Sequence, residues 1–151
     1  MQRIFHTPEG VRDIYNGECS QKHHLQTEIR KVFDSYGYEE IETPSFEYFE
    51  VFSREVGTIP SKDLYKFFDR EGNTLVLRPD MTPAIARAYA KYFSNEELGV
   101  RLSYMGNTFV NNSSLQGHLK EMTQLGAELI GDGSVEADAE ITAMIVEMLL
   151  A

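Results

Sequence analysis

The chain has 151 residues, 42% of them hydrophobic, enough to bury one respectable core and too few for two complete domains of ordinary size. Lysine and arginine number 14 against 24 aspartate and glutamate, and the net charge of -10 disfavours binding of DNA or tRNA across the average surface. Cys19 is the single cysteine, which excludes an intrachain disulfide and fits a reducing, cytoplasmic setting. The amino terminus lacks the apolar core of a signal peptide, and no stretch approaches the roughly 18 to 20 apolar residues of a membrane span.

Residues 1–16 mix Pro8, Gly10 and charge without periodicity and read as an extended arm lying on another surface. From about Cys19 to Tyr36, Leu25, Ile29, Val32, Phe33 and Tyr36 fall on one stripe of an amphipathic helix, and Gly37 is its natural stop. Ile41 then lies in a short extended run that Pro44 interrupts, which predicts an edge strand or one ending at the proline. A short helix is expected over Tyr48 to Phe52. LYKFFD and TLVLRP, separated by REGN, form a hairpin pattern whose second strand leaves at Pro79.

Thr82-Pro83 supplies a capping hydroxyl followed by a proline, and PAIARAYAKYF continues as helix to about Phe93. GVRLSYMGNTFV and HLKEMTQLGAELIG read as two longer strands joined by the polar loop NNSSLQG. A last helix starts near Val135, capped by Ser134, with Ala137, Ile141, Met144, Ile145 and Met148 on one face. This order predicts an α+β fold, a mostly antiparallel sheet flanked by helices. The apolar pattern runs uncapped into Leu149-Leu150-Ala151, so residues 1–151 are expected to be the front part of a longer domain.

Two groups of residues are candidates for chemistry. Asp80, between a strand and a helix, would lie near a helix amino terminus, which favours a carboxylate and suits recognition of an amine; the plain alternative is that it only supports the helix start. Gln124, Gly126 and Glu128 share one face of a strand, and Gly126 leaves room for a small ligand; the plain alternative is a solvated sheet face. His23 and His24 point in different directions from a helix and read as surface histidines, so no metal site is expected. Gly131-Asp132-Gly133 reads as a turn. No Walker loop, G-x-S-x-G or dinucleotide fingerprint occurs, and no cofactor is expected.

Taken together, TPEGVRD, GYEEIETPSFE, TLVLRPDMTPAIARAY, LSYMGNTF and EMTQLGAELIGDGSVEADAEI resemble the catalytic domain of histidyl-tRNA synthetase, a class II aminoacyl-tRNA synthetase fold. VRDIY, RPDMT in place of Arg-Pro-Glu-Gly-Thr, and an altered hairpin resemble more closely the synthetase paralogues that serve as regulatory subunits of ATP phosphoribosyltransferase. In this resemblance residues 37–44 correspond to motif 1 and residues 104–128 to motif 2. Where active synthetases have Phe-Arg-Tyr-Glu-Arg, this chain has Phe109-Val110-Asn111-Asn112-Ser113, so the arginine that holds the ATP α-phosphate is replaced by Val110. Downstream, Arg-x-Arg-Glu-Phe-His-Gln becomes His118-Leu119-Lys120-Glu121-Met122-Thr123-Gln124, and from Leu102 to Gly117 there is no lysine or arginine. Losing one such preorganised group costs about a hundred- to a thousandfold in rate.

The resemblance therefore implies no catalytic residues and a surviving histidine pocket made of Asp80, Thr82, Gln124 and Glu128. It implies a non-enzymatic, cytoplasmic subunit that associates with the short-form catalytic subunit of ATP phosphoribosyltransferase and self-associates. Such a subunit takes free histidine as effector in feedback on the first step of histidine biosynthesis, without tRNA or membrane. The alternatives are a divergent histidyl-tRNA synthetase and a plain dimerisation domain with a vestigial pocket.

Overall fold

A computed structural model describes residues 3–53, 59–96, 99–112 and 118–150. Its elements are α1 (Asn16–Ser35), β1 (Glu39–Glu40), β2 (Phe46–Tyr48), α2 (Glu50–Ser53), β3 (Lys66–Phe68), β4 (Thr74–Leu77), α3 (Thr82–Tyr92), β5 (Val100–Phe109), β6 (Glu121–Ile130) and α4 (Val135–Leu150). Residues 113–117, most of the expected polar loop and the end of the cation-free stretch, lie outside the described residues. The chain divides into two compact units, each drawn from three separate stretches: residues 1–13, 42–94 and 105–125 in the first, and 14–41, 95–104 and 126–151 in the second.

In the first unit β2, β4 and β3 form an antiparallel sheet, with Phe46 opposite Leu77 and Phe67 opposite Leu75. The expected β3–β4 hairpin forms because its turn is chemically specified. Asn73 donates its backbone N–H and its Nδ2 to the Asp69 carboxylate at 2.8 Å each, and Gly72 takes a φ of 86° that a residue with a Cβ adopts only under strain. Strand alternation turns Val76 and Glu47 inward; Val76 is buried with Leu64, Met81, Ala84 and Ile85, and Arg87 clamps Glu47 at 2.6 and 3.0 Å. The short helix begins only at Glu50, since Tyr48 is held in β2 opposite Leu75. The amino-terminal arm does lie on another surface: Lys120 donates its backbone N–H to Gly10 O at 2.7 Å, and the aliphatic stem of Lys120 packs against the bare α-carbon of Gly10.

In the second unit α1 ends where Gly37 takes a φ of 77°, with Gly37 N–H on Asp34 O and Tyr38 N–H on Phe33 O, the two bonds that close a helix around a left-handed residue. Val32, Phe33, Tyr38 and Met144 form the buried cluster, with Ile29, Tyr36, Ala127, Leu129, Ile141 and Met148 packed against it. The α1 stripe holds from Ile29 onward, whereas Leu25 is 53% exposed. Ser134 caps α4 as expected, its Oγ accepting the Ala137 N–H at 3.2 Å; Ile145, placed on the inner face by periodicity, is 47% exposed.

The short strand after Gly37 occupies a sheet edge, as its proline suggests. It pairs in parallel with β5, Glu39 opposite Leu102, while β6 lies on the other side of β5. Within an α+β layout of two three-stranded sheets, this parallel pair is the exception to an otherwise antiparallel expectation.

Candidate functional site

The chain leaves β4 through Arg78-Pro79 and enters α3, and this corner is organised by Arg78. Only 6% exposed, its guanidinium donates from Nη1 to Thr43 O at 2.6 Å and from Nε to Asn107 O at 2.8 Å. Burial draws its pKa below the ordinary arginine value against the opposing pull of Glu42 and Glu47. Gly106 makes room for it: a Cβ there would collide with Arg78 Nη2 and come within 3.2 Å of Met81 Cε. Its bonds to backbone oxygens make this cation a fastener between segments.

Asp80 follows, with Oδ1 accepting the N–H groups of Met81 at 2.6 Å and Thr82 at 3.4 Å. Thr82 is itself the first helical residue, with Pro83 next, so the cap anticipated from the Thr82 hydroxyl is supplied instead by the carboxylate two residues earlier. The favourable site for an anion at a helix start is thereby filled by the chain itself. The same oxygen accepts Gln124 Nε2 at 3.2 Å, so two of the four residues expected in a pocket are in direct contact within the first unit. Thr82 stands exposed at the start of α3.

Gly126 and Glu128 belong to the second unit, and their partner there is Tyr104. The phenol O–H donates to Glu128 Oε1 at 3.3 Å. A Cβ on Gly126 would sit 2.8 Å from Tyr104 Cε2 and closer still to Cζ and Oη. The space that Gly126 opens, expected to admit a ligand to the backbone, is thus filled by a ring of the same chain. The sequence alone does not point to Tyr104, whose place depends on strand register: the Val110 N–H to Lys120 O bond sets that register, and six residues along each strand it brings Tyr104 opposite Gly126.

At the base of the hairpin no arginine stands at the position that the resemblance assigns to the α-phosphate. Val110 offers an aliphatic side chain, Asn107 donates Nδ2 to Glu121 Oε1 at 2.7 Å and accepts the Thr123 hydroxyl at 3.0 Å, and the stem of Lys120 packs on Gly10. His23 and His24 are exposed on α1, His23 Nε2 lying 3.7 Å from Cys19 Sγ one turn earlier. Asp132 accepts the Ser134 N–H at 2.9 Å in the expected turn before α4. Among the described residues no three His, Cys, Asp or Glu side chains are grouped to hold a metal ion, and no helix is long and apolar enough to cross a membrane.

Comparison with known proteins defines the class. A crystal structure described as an ATP phosphoribosyltransferase regulatory subunit/histidyl-tRNA synthetase from Bacillus halodurans C matches with a TM-score of 0.86 at 38% identity, over 97% of this chain and 38% of that one. The fold is therefore a part of the class II histidyl-tRNA synthetase catalytic domain. The family profile for histidyl-tRNA synthetase matches residues 10–151, and the chain belongs to that family.

Within the family its similarity reaches both kinds of member. The ATP phosphoribosyltransferase regulatory subunit of Ruminiclostridium cellulolyticum is 46% identical over 144 residues, 95% of this chain and 34% of the relative. The histidine–tRNA ligase of Methanococcus maripaludis is 38% identical over 146 residues, 97% of this chain and 35% of the relative. The chain thus spans about a third of the length of the curated relatives it matches.

Proposed function

We propose that this chain is the amino-terminal part of a non-catalytic regulatory subunit of ATP phosphoribosyltransferase. It works in the cytoplasm with the short-form catalytic subunit, self-associates, and transmits histidine feedback on the first step of histidine biosynthesis. The single observation that carries this reading is Val110, an uncharged side chain where adenylate chemistry requires a cation against the α-phosphate. The 46% identity to the Ruminiclostridium cellulolyticum regulatory subunit, against 38% to the ligase, supports it. Asp80, Thr82, Gln124 and Glu128 are the proposed histidine ligands, as the resemblance implies: two carboxylates and an amide suit the ammonium and imidazole of free histidine.

Histidine acts, in this reading, by binding one state of the complex better than another, with a coupling of about 1 to 3 kcal/mol. The test is the activity of the catalytic subunit mixed with the full-length protein across a histidine titration. Activity should require the added protein and fall with histidine; activity that ignores it removes the reading.

A second reading rests on the 38% identity to a histidine–tRNA ligase: a divergent synthetase, dependent on ATP and tRNA. It requires histidine-dependent exchange of pyrophosphate into ATP by the full-length protein. The regulatory reading expects none.

A further inference from the structure

If Glu128 is a histidine ligand, as proposed above, its carboxylate must be held still to be selective. A glutamate side chain has several rotors, and freezing them on ligand binding costs about 1.5–2 kcal/mol. In the second unit Tyr104, 5% exposed, is fixed by the fold of β5, and its O–H is already on Glu128 Oε1 at 3.3 Å. The ring reaches that position only because Gly126 has no side chain. Gly126 and Tyr104 thus form a built support whose polar end terminates on the carboxylate.

We propose that Tyr104 is the positioning residue for ligand selectivity: its phenol, seated over Gly126, orients Glu128 so that the carboxylate distinguishes a ligand bearing an imidazole N–H from an isosteric one without it. This rests on the histidine reading above and adds the device that makes the site selective. Discrimination of this kind is strong when a site's polar group is left without its partner by the wrong ligand, and it weakens once that group is free to swing toward solvent. Tyr104→Phe keeps the ring over Gly126 and removes only the donor.

The experiment uses the full-length protein with its catalytic subunit and measures binding of histidine and of β-(2-thienyl)alanine, which keeps the aromatic shape and lacks the N–H. The wild-type protein should prefer histidine. Tyr104→Phe should reduce that preference by about tenfold, chiefly through weaker histidine binding, while the melting temperature stays close to that of the wild type. Gly126→Ala, which displaces the phenol without altering it, should reduce the preference in the same direction. A wild-type preference that survives in Tyr104→Phe overturns the role of Tyr104 and leaves the histidine reading standing. Failure of the wild-type protein to bind histidine overturns both.

Discussion

Tyr38 packs its ring beside Phe33 and sends its hydroxyl to Glu140 Oε1 at 3.1 Å, leaving 3% of its surface exposed. Burial first, and the bond to Glu140 second, push its pKa from 10.0 up to about 12. The unfolded chain releases this proton near 10 and the folded chain only near 12, so the folded state binds it more tightly. The stabilisation is whole below about pH 10 and is lost as pH rises through about 12, a swing of roughly 2–3 kcal/mol. Urea unfolding followed between these limits should show the decline, and Tyr38→Phe should remove that component. Arg78 makes a different demand at the same scale. Gly106→Ala places a methyl group against its guanidinium, and urea unfolding should show a loss of about 1–3 kcal/mol, the usual cost of overpacking. A neutral outcome would mean that Arg78 has another place to lie.

Among the elements, α4 is secured at its start and along its side. Ser134→Ala removes the acceptor for the Ala137 N–H, and thermal denaturation should report a loss of about 0.5–2 kcal/mol. One turn further, Arg101 holds Glu140 through two bonds of 2.7 Å, and this guanidinium is the main reason the carboxyl titrates below its ordinary value of 4.5. The sign is opposite to that of Tyr38: the contribution is present above the ordinary carboxyl pKa and disappears as pH falls through the lowered one. Acid unfolding of Arg101→Met should therefore be less steep than that of the wild type. Most elements were legible because local chemistry specifies them, as at Gly37 ending α1, Asp69 and Gly72 turning β3 into β4, and Ser134 starting α4. The parallel pairing of β1 was not, because parallel partners meet only through a long crossover that no local pattern announces. At the candidate site, strand alternation showed the shared face of Gln124, Gly126 and Glu128. It could not show Tyr104 filling the gap over Gly126, which depends on cross-strand register, nor the transfer of the α3 cap from Thr82 to Asp80, which depends on where the helix begins.

Across the whole molecule the surplus of acid is the largest electrostatic fact. Exposed pairs such as Arg30–Glu40 and Lys31–Glu28 neutralise little of a net charge of -10, and pairs of this kind contribute about 0–1 kcal/mol each. Self-repulsion among carboxylates should outweigh them, so thermal stability is expected to rise between about 0.01 and 0.15 M salt, as the screening length contracts from ~30 to ~8 Å. A melting temperature that falls over this range would show that ion pairs dominate. The threading of the two units has a consequence during synthesis. The first unit draws on residues up to Leu125 and the second on residues from 126 onward, each returning to stretches made much earlier. A nascent chain halted before β6 therefore has neither unit complete: the β2–β4–β3 sheet has all its strands, while α1 still lacks Ala127, Leu129 and Met144. Pairings this distant in sequence close slowly, and the first unit, which needs nothing beyond Leu125, has its residues in hand before the second.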